Sequence, residues 1–248
     1  MHYDAQERSP IMTSKPYGLV CPITHACDIL EPRWTMPILS EMWAGATRFN
    51  DIRRGVGNIS PALLSRRLKE LELHGLIERV EDPASGNVDY IRTDRAVALE
   101  PALNALALWA QSNIAARQAL LDADLSTFMW KMRNYFLRDQ LPDRQVVIRF
   151  HFTDPDLAYD TYWALLRPGQ PVEMCTDIPG FDVDLYVETS KISLASILLG
   201  RTTVSRETDA ERMYLSGDAM LAKTMQRWIF VSGYAKADGL MMLDDTPN

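Results

Sequence analysis

The chain has 248 residues, 47% of them hydrophobic, and its 26 Lys and Arg stand against 33 Asp and Glu for a formal net charge of −7. This composition is ordinary for a globular protein of one or two domains, with two favoured, and it excludes a chain that is basic throughout. No apolar run approaches the roughly 18 residues of a membrane span, the N-terminus lacks a signal peptide's apolar segment, and three cysteines cannot form a disulfide framework, so we expect a cytoplasmic protein.

Four short helices are predicted before residue 75 from the spacing of apolar residues and from start and stop residues. Thr35 is expected to cap the second helix. Ser60 is expected to cap the fourth, with Pro61 at its first position and Gly75 just past its end. The predicted ranges are 23–30, 36–43, 48–54 and 61–74. The residues predicted to face the core of the second and third helices are Ile38, Leu39, Met42, Phe49 and Ile52.

The fourth helix has two unlike faces. Leu64, Leu68 and Leu71 lie within about 60° of one another around the helix axis at about 100° per residue, so they form a core stripe. The opposite face is small, hydroxylic and cationic, with Ala62, Ser65, Arg66 and Lys69. Such a face suits the major groove of DNA, where Arg reads guanine.

The distribution of charge along the sequence also favours this face of the fourth helix as a DNA-contacting surface. Residues 48–79 hold seven Lys or Arg and four Asp or Glu, whereas residues 121–248 hold 13 against 19. A locally basic strip in an acidic chain is typical of a surface that contacts phosphates. On charge alone, a solvated helix face of mixed charge remains open. A helix, a glycine turn and a basic-faced helix together predict a helix-turn-helix.

A hairpin and a long helix follow. Strands are predicted over 76–80 and 88–93, around a turn cluster at 81–87, which makes a winged helix. One long helix is predicted over 95–121. Its apolar stripe is Leu99, Leu103, Leu106 and either Trp109 or Ala110. This stripe packs either on its own domain or against a second subunit, and a dimer also suits two DNA half-sites.

Residues 21–110 resemble the HxlR family of winged-helix transcriptional regulators, relatives of the MarR group. The resemblance is carried by CPITHACDIL, RWTMPILSEMWAG and TRFNDIRRGVGNISPALLSRRLKELELHGLIERV, with YIRTDRAVALEPALNALALWA after the wing. It implies a homodimer that binds operator DNA, mainly as a repressor and sometimes as an activator. The wing tip EDPASGN departs from the family because it is acidic where a basic residue is frequent, and Arg95 and Ala96 stand where glycine is expected. The candidate DNA-contacting residues are Arg48, Arg53, Ser60, Ala62, Ser65, Arg66, Lys69 and Arg79.

Cys21 stands where several HxlR relatives carry a redox-sensing thiol, which makes it a redox candidate. A thiol beside a helix N-terminus has a depressed pKa and reacts more readily. The alternative is a Cys-Pro pair that only starts a helix. Cys21, His25 and Cys27 fall short of a four-ligand structural metal site. We therefore expect no metal and no cofactor.

The second half alternates strands and helices in a pattern typical of α+β proteins. Helices are predicted over 125–141, 191–199 and 219–230. Strands are predicted over 145–152, 159–166, 172–176, 182–188 and 212–215. The expected domain boundary lies at 122/123, with the winged helix and its dimerisation helix before it and the α+β domain after it.

Residues 140–232 resemble the sterol-carrier-protein type two fold, on DVDLYVETSKISLASILLGRTTV and ERMYLSGDAMLAKTMQRWI. The resemblance implies a five-stranded sheet whose helices enclose an apolar tunnel for lipids or other hydrophobic molecules. A hydrophobic small-molecule effector is the corresponding partner. A filled core and a subunit interface remain alternatives. The candidate ligand-binding residues are Trp130, Phe136, Phe150, Phe152, Trp163, Met174, Met225 and Trp228.

Hydrolase, zinc-protease, P-loop and dinucleotide motifs are all absent from the sequence, so we expect no enzymatic activity. The sequence predicts a DNA-binding transcriptional regulator. The alternative is a carrier of lipids or other hydrophobic ligands, or an adaptor, whose winged helix mediates protein contacts. A DNA-shift assay separates the two classes.

Overall fold

The computed structural model describes residues 16–245. The chain divides into two compact units, one that ends at Leu103 and one that begins at Asn104. The division falls earlier than the expected boundary at 122/123. Among the described residues, no helix combines the length and the apolar character needed to cross a membrane.

The N-terminal unit is a winged helix, and its hairpin and helices lie close to the predicted ranges. Its helices are α1 (Pro22–Leu30), α2 (Thr35–Trp43), α3 (Phe49–Val56), α4 (Pro61–Leu73) and α5 (Asp94–Val97). Strands β1 (Ile77–Glu81) and β2 (Val88–Arg92) pair antiparallel, from Ile77 opposite Arg92 to Glu81 opposite Val88. The expected cap at Thr35 is wrong: Trp34 is the N-cap residue, with φ of 85°, and Thr35 is buried inside the helix.

One hydrophobic core holds this unit together. Ile38, Leu39 and Met42 of α2 and Ile52 of α3 are buried as predicted, and Phe49 packs partly buried against them. The predicted leucine stripe of α4 is also confirmed, since Leu64, Leu68 and Leu71 are buried in the same cluster. A buried leucine contributes about 1.5–3 kcal/mol, so this stripe fixes which side of α4 faces outward.

The predicted single helix over 95–121 is wrong. The structure has three helices there: α5, α6 (Glu100–Asn113) and α7 (Ala116–Leu120). Pro101 has no backbone N–H, so it fits only in the first turn of a helix, and α6 starts immediately before it. At the other end, Arg201 Nη1 donates to the carbonyl of Ile114 (2.7 Å). Ala115 then adopts a ψ of 142°, which ends the helical run.

The C-terminal unit is α+β with a five-stranded sheet, as predicted. Its strands are β3 (Val146–Phe152), β4 (Thr161–Leu166), β5 (Glu173–Cys175), β6 (Leu185–Thr189) and β7 (Met213–Gly217). The order across the sheet is β5-β4-β3-β6-β7. The pair β3–β6 is parallel and the other pairs are antiparallel.

The α-helices that follow α7 in this unit are α8 (Leu125–Met132), α9 (Lys191–Leu198), α10 (Val204–Asp209) and α11 (Ala219–Trp228). The helix predicted over 125–141 is therefore too long. It ends early because Phe136 forms an isolated bridge with Ile229, and the backbone N–H of Leu137 donates to the carbonyl of Trp228 (2.7 Å). Helix α10 was not predicted.

Two glycines of the C-terminal unit are required because other atoms approach them closely. Gly217 has φ of 113°, and a Cβ there would lie 2.3 Å from the carbonyl oxygen of Asp184. Gly200 has φ of 74°, and a Cβ there would lie 2.2 Å from the Cβ of Ala235. A larger residue at either position would therefore clash with a neighbouring segment of the C-terminal unit.

A buried ion pair stabilises the turn between α10 and β7. Glu207 is fully buried and accepts hydrogen bonds from Arg212 Nε (2.9 Å), Arg212 Nη2 (2.7 Å) and Thr202 Oγ1 (2.6 Å). Burial raises the pKa of Glu207, but the hydrogen bonds from Arg212, Thr202 and Ser193 outweigh it, so the pKa lies below its ordinary value.

Substituting Glu207→Gln should lower the free energy of unfolding by about 3 kcal/mol at pH 7, because it leaves Arg212 without its buried counter-charge. A group with a lowered folded-state pKa stabilises above its unfolded pKa and loses that contribution as pH falls through the folded value. The gap between wild type and variant should therefore close below the ordinary value of 4.5. Denaturant unfolding of both proteins across this range tests it, and an equal midpoint at pH 7 would contradict it.

Candidate nucleic-acid interface

The exposed face of α4 is the centre of the candidate interface. Ser60 is the N-cap residue, and its Oγ accepts a hydrogen bond from the backbone N–H of Leu63 (3.3 Å). Pro61 occupies the first helical position. The four side chains predicted opposite the leucine stripe are all exposed: Ala62, Ser65, Arg66 and Lys69. The structure therefore brings five of the eight candidate residues onto one helix.

Arg66 and Arg67 are neighbours in sequence with different roles. Arg66 keeps 49% of its side chain exposed, and its Nε donates to Glu70 Oε1 (3.2 Å). Arg67 is only 8% exposed. It donates to the backbone carbonyl of Arg33 (3.0 Å) and forms an ion pair with Glu70. Arg67 therefore joins α4 to the segment before α2, and it does not belong to the exposed basic surface.

Arg48 connects α3 to the wing. Its Nε lies 2.8 Å from Asp89 Oδ1 on β2, and Thr47 Oγ1 donates to the same oxygen (2.7 Å). A charge held by a carboxylate is less available to a phosphate, so Arg48 positions the wing. Arg53 is exposed in the last turn of α3. Arg79 pairs with Glu81 along β1 (3.0 Å).

The wing tip is acidic and locally ordered. Asp82 accepts hydrogen bonds from Ser85 Oγ (2.6 Å) and from the backbone N–H of Ala84 (3.0 Å). These bonds hold the pKa of Asp82 below its ordinary value, so the tip keeps its negative charge at neutral pH. A fixed negative charge repels phosphates, which makes the wing tip a poor match for the DNA backbone.

The thiols of Cys21 and Cys175 differ in environment. Cys21 precedes α1, and hydrogen bonds from the backbone N–H groups of Thr24 and Ile23 lower the pKa of its thiol. Burial, with the nearby charges of Asp177 and Glu173, raises the pKa of Cys175. A redox role for Cys21 stays a prediction. Within residues 16–245, no group of three His, Cys, Asp or Glu side chains could hold a metal ion.

We expect iodoacetamide to alkylate Cys21 faster than Cys175 in the native protein at about pH 7.5, because the thiolate is the reactive form. Peptide mass spectrometry after timed quenching measures both rates in one sample. Alkylation in denaturant is the control, since unfolding removes both environments and should bring the two rates together. Faster native labelling of Cys175 would contradict the prediction.

The eight predicted ligand-binding residues do not all lie together. Phe136, Phe150, Phe152, Met225 and Trp228 are buried in the core between the sheet and the helices, and Met174 packs against it. The rings of Phe136 and Trp228 stack at 6.0 Å, and Phe136 meets Phe150 edge-on at 6.5 Å. These contacts favour a filled core at these residues.

The remaining two residues lie apart from this packing. Trp130 is partly buried, and the guanidinium carbon of Arg133 lies 4.0 Å from its ring centroid. Trp163 is also partly buried, and it alternates along β4 with the core residues Tyr162 and Ala164. Successive side chains of a strand point to opposite faces, so Trp163 lies on the outer face of the sheet.

The apolar stripe predicted for residues 95–121 is partly buried and partly exposed. Leu99, just before α6, and Leu103 pack against the core of the N-terminal unit. Leu106 and Trp109 are 54% and 58% exposed. Large exposed apolar side chains that recur on one helix mark an interaction surface.

The fold and the exposed face of α4 define a winged-helix DNA-binding protein. A family model described as HxlR-like helix-turn-helix matches residues 29–118. The uncharacterized HTH-type transcriptional regulator YvaP of Bacillus subtilis (strain 168) is 39% identical over 93 residues, which are 37% of this chain and 86% of that protein. The chain belongs to the HxlR-like helix-turn-helix family.

Two further proteins to which this chain is similar are also named as transcriptional regulators. The uncharacterized HTH-type transcriptional regulator YtfH of Escherichia coli (strain K12) is 30% identical over 103 residues, 41% of this chain and 82% of that protein. The solved structure of the reduced form of the transcriptional regulator YodB from B. subtilis is 31% identical, with a TM-score of 0.35, over 38% of this chain and 94% of that one. The relatives' names support a DNA-binding regulator. The resemblance of residues 140–232 to the sterol-carrier fold is not confirmed and stays a prediction.

Proposed function

We propose that this protein is a transcriptional repressor that binds operator DNA as a homodimer and has no enzymatic activity. The observation that carries the proposal is the exposed face of α4, which presents Ser65, Arg66 and Lys69 opposite a fully buried leucine stripe. A rigid helix with small, hydroxylic and cationic side chains fits the major groove.

The side chains of this face have separate tasks in the proposal. Within residues 16–245, the Arg66 side chain pairs through Nε with Glu70 Oε1 and through no other nitrogen, so its terminal nitrogens are available to a guanine. Lys69 is exposed one turn further along and reaches a phosphate. The small side chains of Ala62 and Ser65 let the helix approach the base edges. Binding depends on this local surface because the whole chain carries a net charge of −7.

Replacing Arg66→Ala should weaken binding to a selected operator by about 1–3 kcal/mol and relax the preference at one base position, as expected for a lost bidentate contact. The operator comes from footprinting wild-type protein on genomic fragments. Fluorescence anisotropy with operator and with scrambled duplex then measures both affinities at one salt concentration.

The matched control for this prediction is Arg206→Ala, which removes an exposed arginine of α10 in the other unit. Its operator affinity should equal that of wild type. Equal losses in the two variants would mean that Arg66 acts only through net charge. Footprinting that finds no protected site at moderate salt would overturn the function itself.

The exposed stripe of α6 supports the homodimer. Leu106 and Trp109 lie on the same helix face and remain uncovered in a single chain. If the same face of α6 in a second copy packs against Leu106 and Trp109, the two copies form a two-fold dimer. Two copies then present two α4 helices to two half-sites of the operator.

We expect Leu106→Glu to convert the dimer to a monomer, because the substitution places an unpaired charge in an apolar contact. Sedimentation velocity of the full chain measures the state. Leu121→Glu is the control, since Leu121 is 63% exposed just after α7, and this variant should stay dimeric. A Leu106→Glu protein that also stays dimeric would place the interface elsewhere.

A hydrophobic effector in the C-terminal unit stays a prediction. A fatty acid or sterol that uses Phe136, Phe150 and Trp228 has to displace side chains that already stack on one another. The packing therefore gives this ligand class little support, and the lipid-carrier alternative weakens with it. Thermal shift with fatty acids and sterols tests both.

A further inference from the structure

The C-terminal unit contains a cavity that the proposed function does not use. Its volume is about 480 Å³, within the range of small-molecule sites. It lies where the parallel strands β3 and β6 end, beside Thr153 and Ser190. None of the eight aromatic and methionine residues predicted to bind a ligand lines it.

Two carboxylates in the lining have no partner. Glu188 of β6 and Glu211, just before β7, are both exposed and line the cavity. No hydrogen bond or ion pair joins either carboxylate to another side chain in the described part of the chain. The third acid, Asp154, is partly engaged, because its Oδ2 accepts the backbone N–H of Lys191 (2.7 Å).

The guanidinium groups of the lining do not balance these charges. Arg212 is committed to Glu207, at 2.7 Å, and to Asp244, at 3.2 Å. Arg117 is the other basic residue of the lining and is exposed. The carboxylates of Glu188 and Glu211, which form no ion pair in the described part of the chain, therefore outnumber the guanidinium of Arg117. This excess of negative charge favours a bound cation over an anion.

The lining also offers an aromatic face and an apolar wall. Tyr214 of β7 stands directly opposite Glu188 in the register of the sheet, and both line the cavity. A carboxylate beside an aromatic ring suits a protonated amine, which gains a charge-assisted hydrogen bond and a cation–π contact. Pro155, Ile192 and Leu243 supply apolar surface for a hydrocarbon stem.

We propose that this cavity binds a small organic cation, a primary amine on an apolar stem, with the ammonium group between Glu188 and Tyr214. The stem packs toward Ile192 and Leu243. Glu188 and Tyr214 contribute more to binding, through the positive charge, than Ile192 and Leu243 contribute through the apolar stem. A neutral molecule of the same shape lacks the first of these contacts.

The cavity is joined by hydrogen bonds to α6. Leu243 forms part of its wall, and the backbone N–H of Leu243 donates to the carbonyl of Arg201 (2.9 Å). Arg201 Nε in turn donates to Gln111 Oε1 of α6 (2.7 Å), and the backbone N–H of Met241 donates to the carbonyl of Gln111 (3.1 Å). The chain passes from one unit to the other within α6. Because these hydrogen bonds link the cavity to that helix, we assign the cavity as the effector site of the proposed regulator. This step rests on the proposed function.

Isothermal titration of the full chain with 2-phenylethylamine tests the site, and 2-phenylethanol is the neutral probe of matched shape. We expect heat of binding for the amine and none for the alcohol. Glu188→Gln should weaken amine binding by at least about tenfold, because a hydrogen bond to a charged acceptor is lost. Glu188 is exposed, so the variant should fold like wild type.

Glu173→Gln is the matched control, an exposed glutamate of the same sheet outside the cavity. It should bind the amine like wild type. Equal binding of amine and alcohol, unchanged binding in Glu188→Gln, or no amine binding at all would overturn the cation site.

A second arm separates this inference from the proposed function. Operator affinity is measured with and without the amine, for wild type and for Glu188→Gln. A shift in wild type alone supports the effector role, and no shift in wild type overturns that role. A protein that binds the amine but no DNA overturns the proposed function and leaves the cation site supported by the titration.

Discussion

Burial of the leucine stripe on α4 is the constraint on which the functional surface depends. Leu64, Leu68 and Leu71 pack into the same core as α2 and α3. The helix cannot rotate about its axis without exposing these side chains to water at a cost of about 1.5–3 kcal/mol each. Arg66 and Lys69 therefore face outward because the leucines face inward. The packing of the leucines therefore determines the orientation of the side chains proposed to contact DNA.

The arginines of the chain divide into structural and surface groups, and burial decides which group each belongs to. Arg67 joins α4 to the carbonyl of Arg33, and Arg201 binds Gln111 and the carbonyl of Ile114 at the end of α6. A buried guanidinium is tolerated when its donors are satisfied by carbonyls and carboxylates. Arg66 pairs with Glu70 through Nε, but 49% of its side chain stays exposed and can meet a partner. Counting basic residues along the sequence does not make this distinction.

Periodic patterns in the sequence predicted the elements well where burial follows one helix face or one side of a strand. The stripe of α4, the hairpin after it and the five strands of the second unit all follow such patterns. The helix break after α6 was missed because part of its cause is remote in sequence: Arg201 donates a hydrogen bond to the carbonyl of Ile114 from 87 residues away. The early end of α8 has a similar cause in the pairing of Phe136 with Ile229. The break after α5 had a local signal in Pro101, which the continuous apolar stripe masked.

Contacts between distant segments also separate the observed cavity from the predicted ligand-binding residues. Aromatic and methionine content suggested a ligand pocket, but rings such as Phe136 and Trp228 stack with each other. The polar cavity was missed because its lining comes from distant segments, such as Asp154, Glu188 and Glu211. One signal was present: the alternation in DVDLYVE places Glu188 on the outer side of its strand. Nothing in the sequence shows which side chains meet it there.

In the proposed regulator, α4 reads the major groove of an operator from a two-fold dimer. Dimethyl sulfate protection at guanine N7 tests it directly, because that atom is accessible only in the major groove. We expect two protected patches about 10–10.5 base pairs, or a multiple of that, apart. Bound protein that leaves every guanine N7 reactive would contradict it.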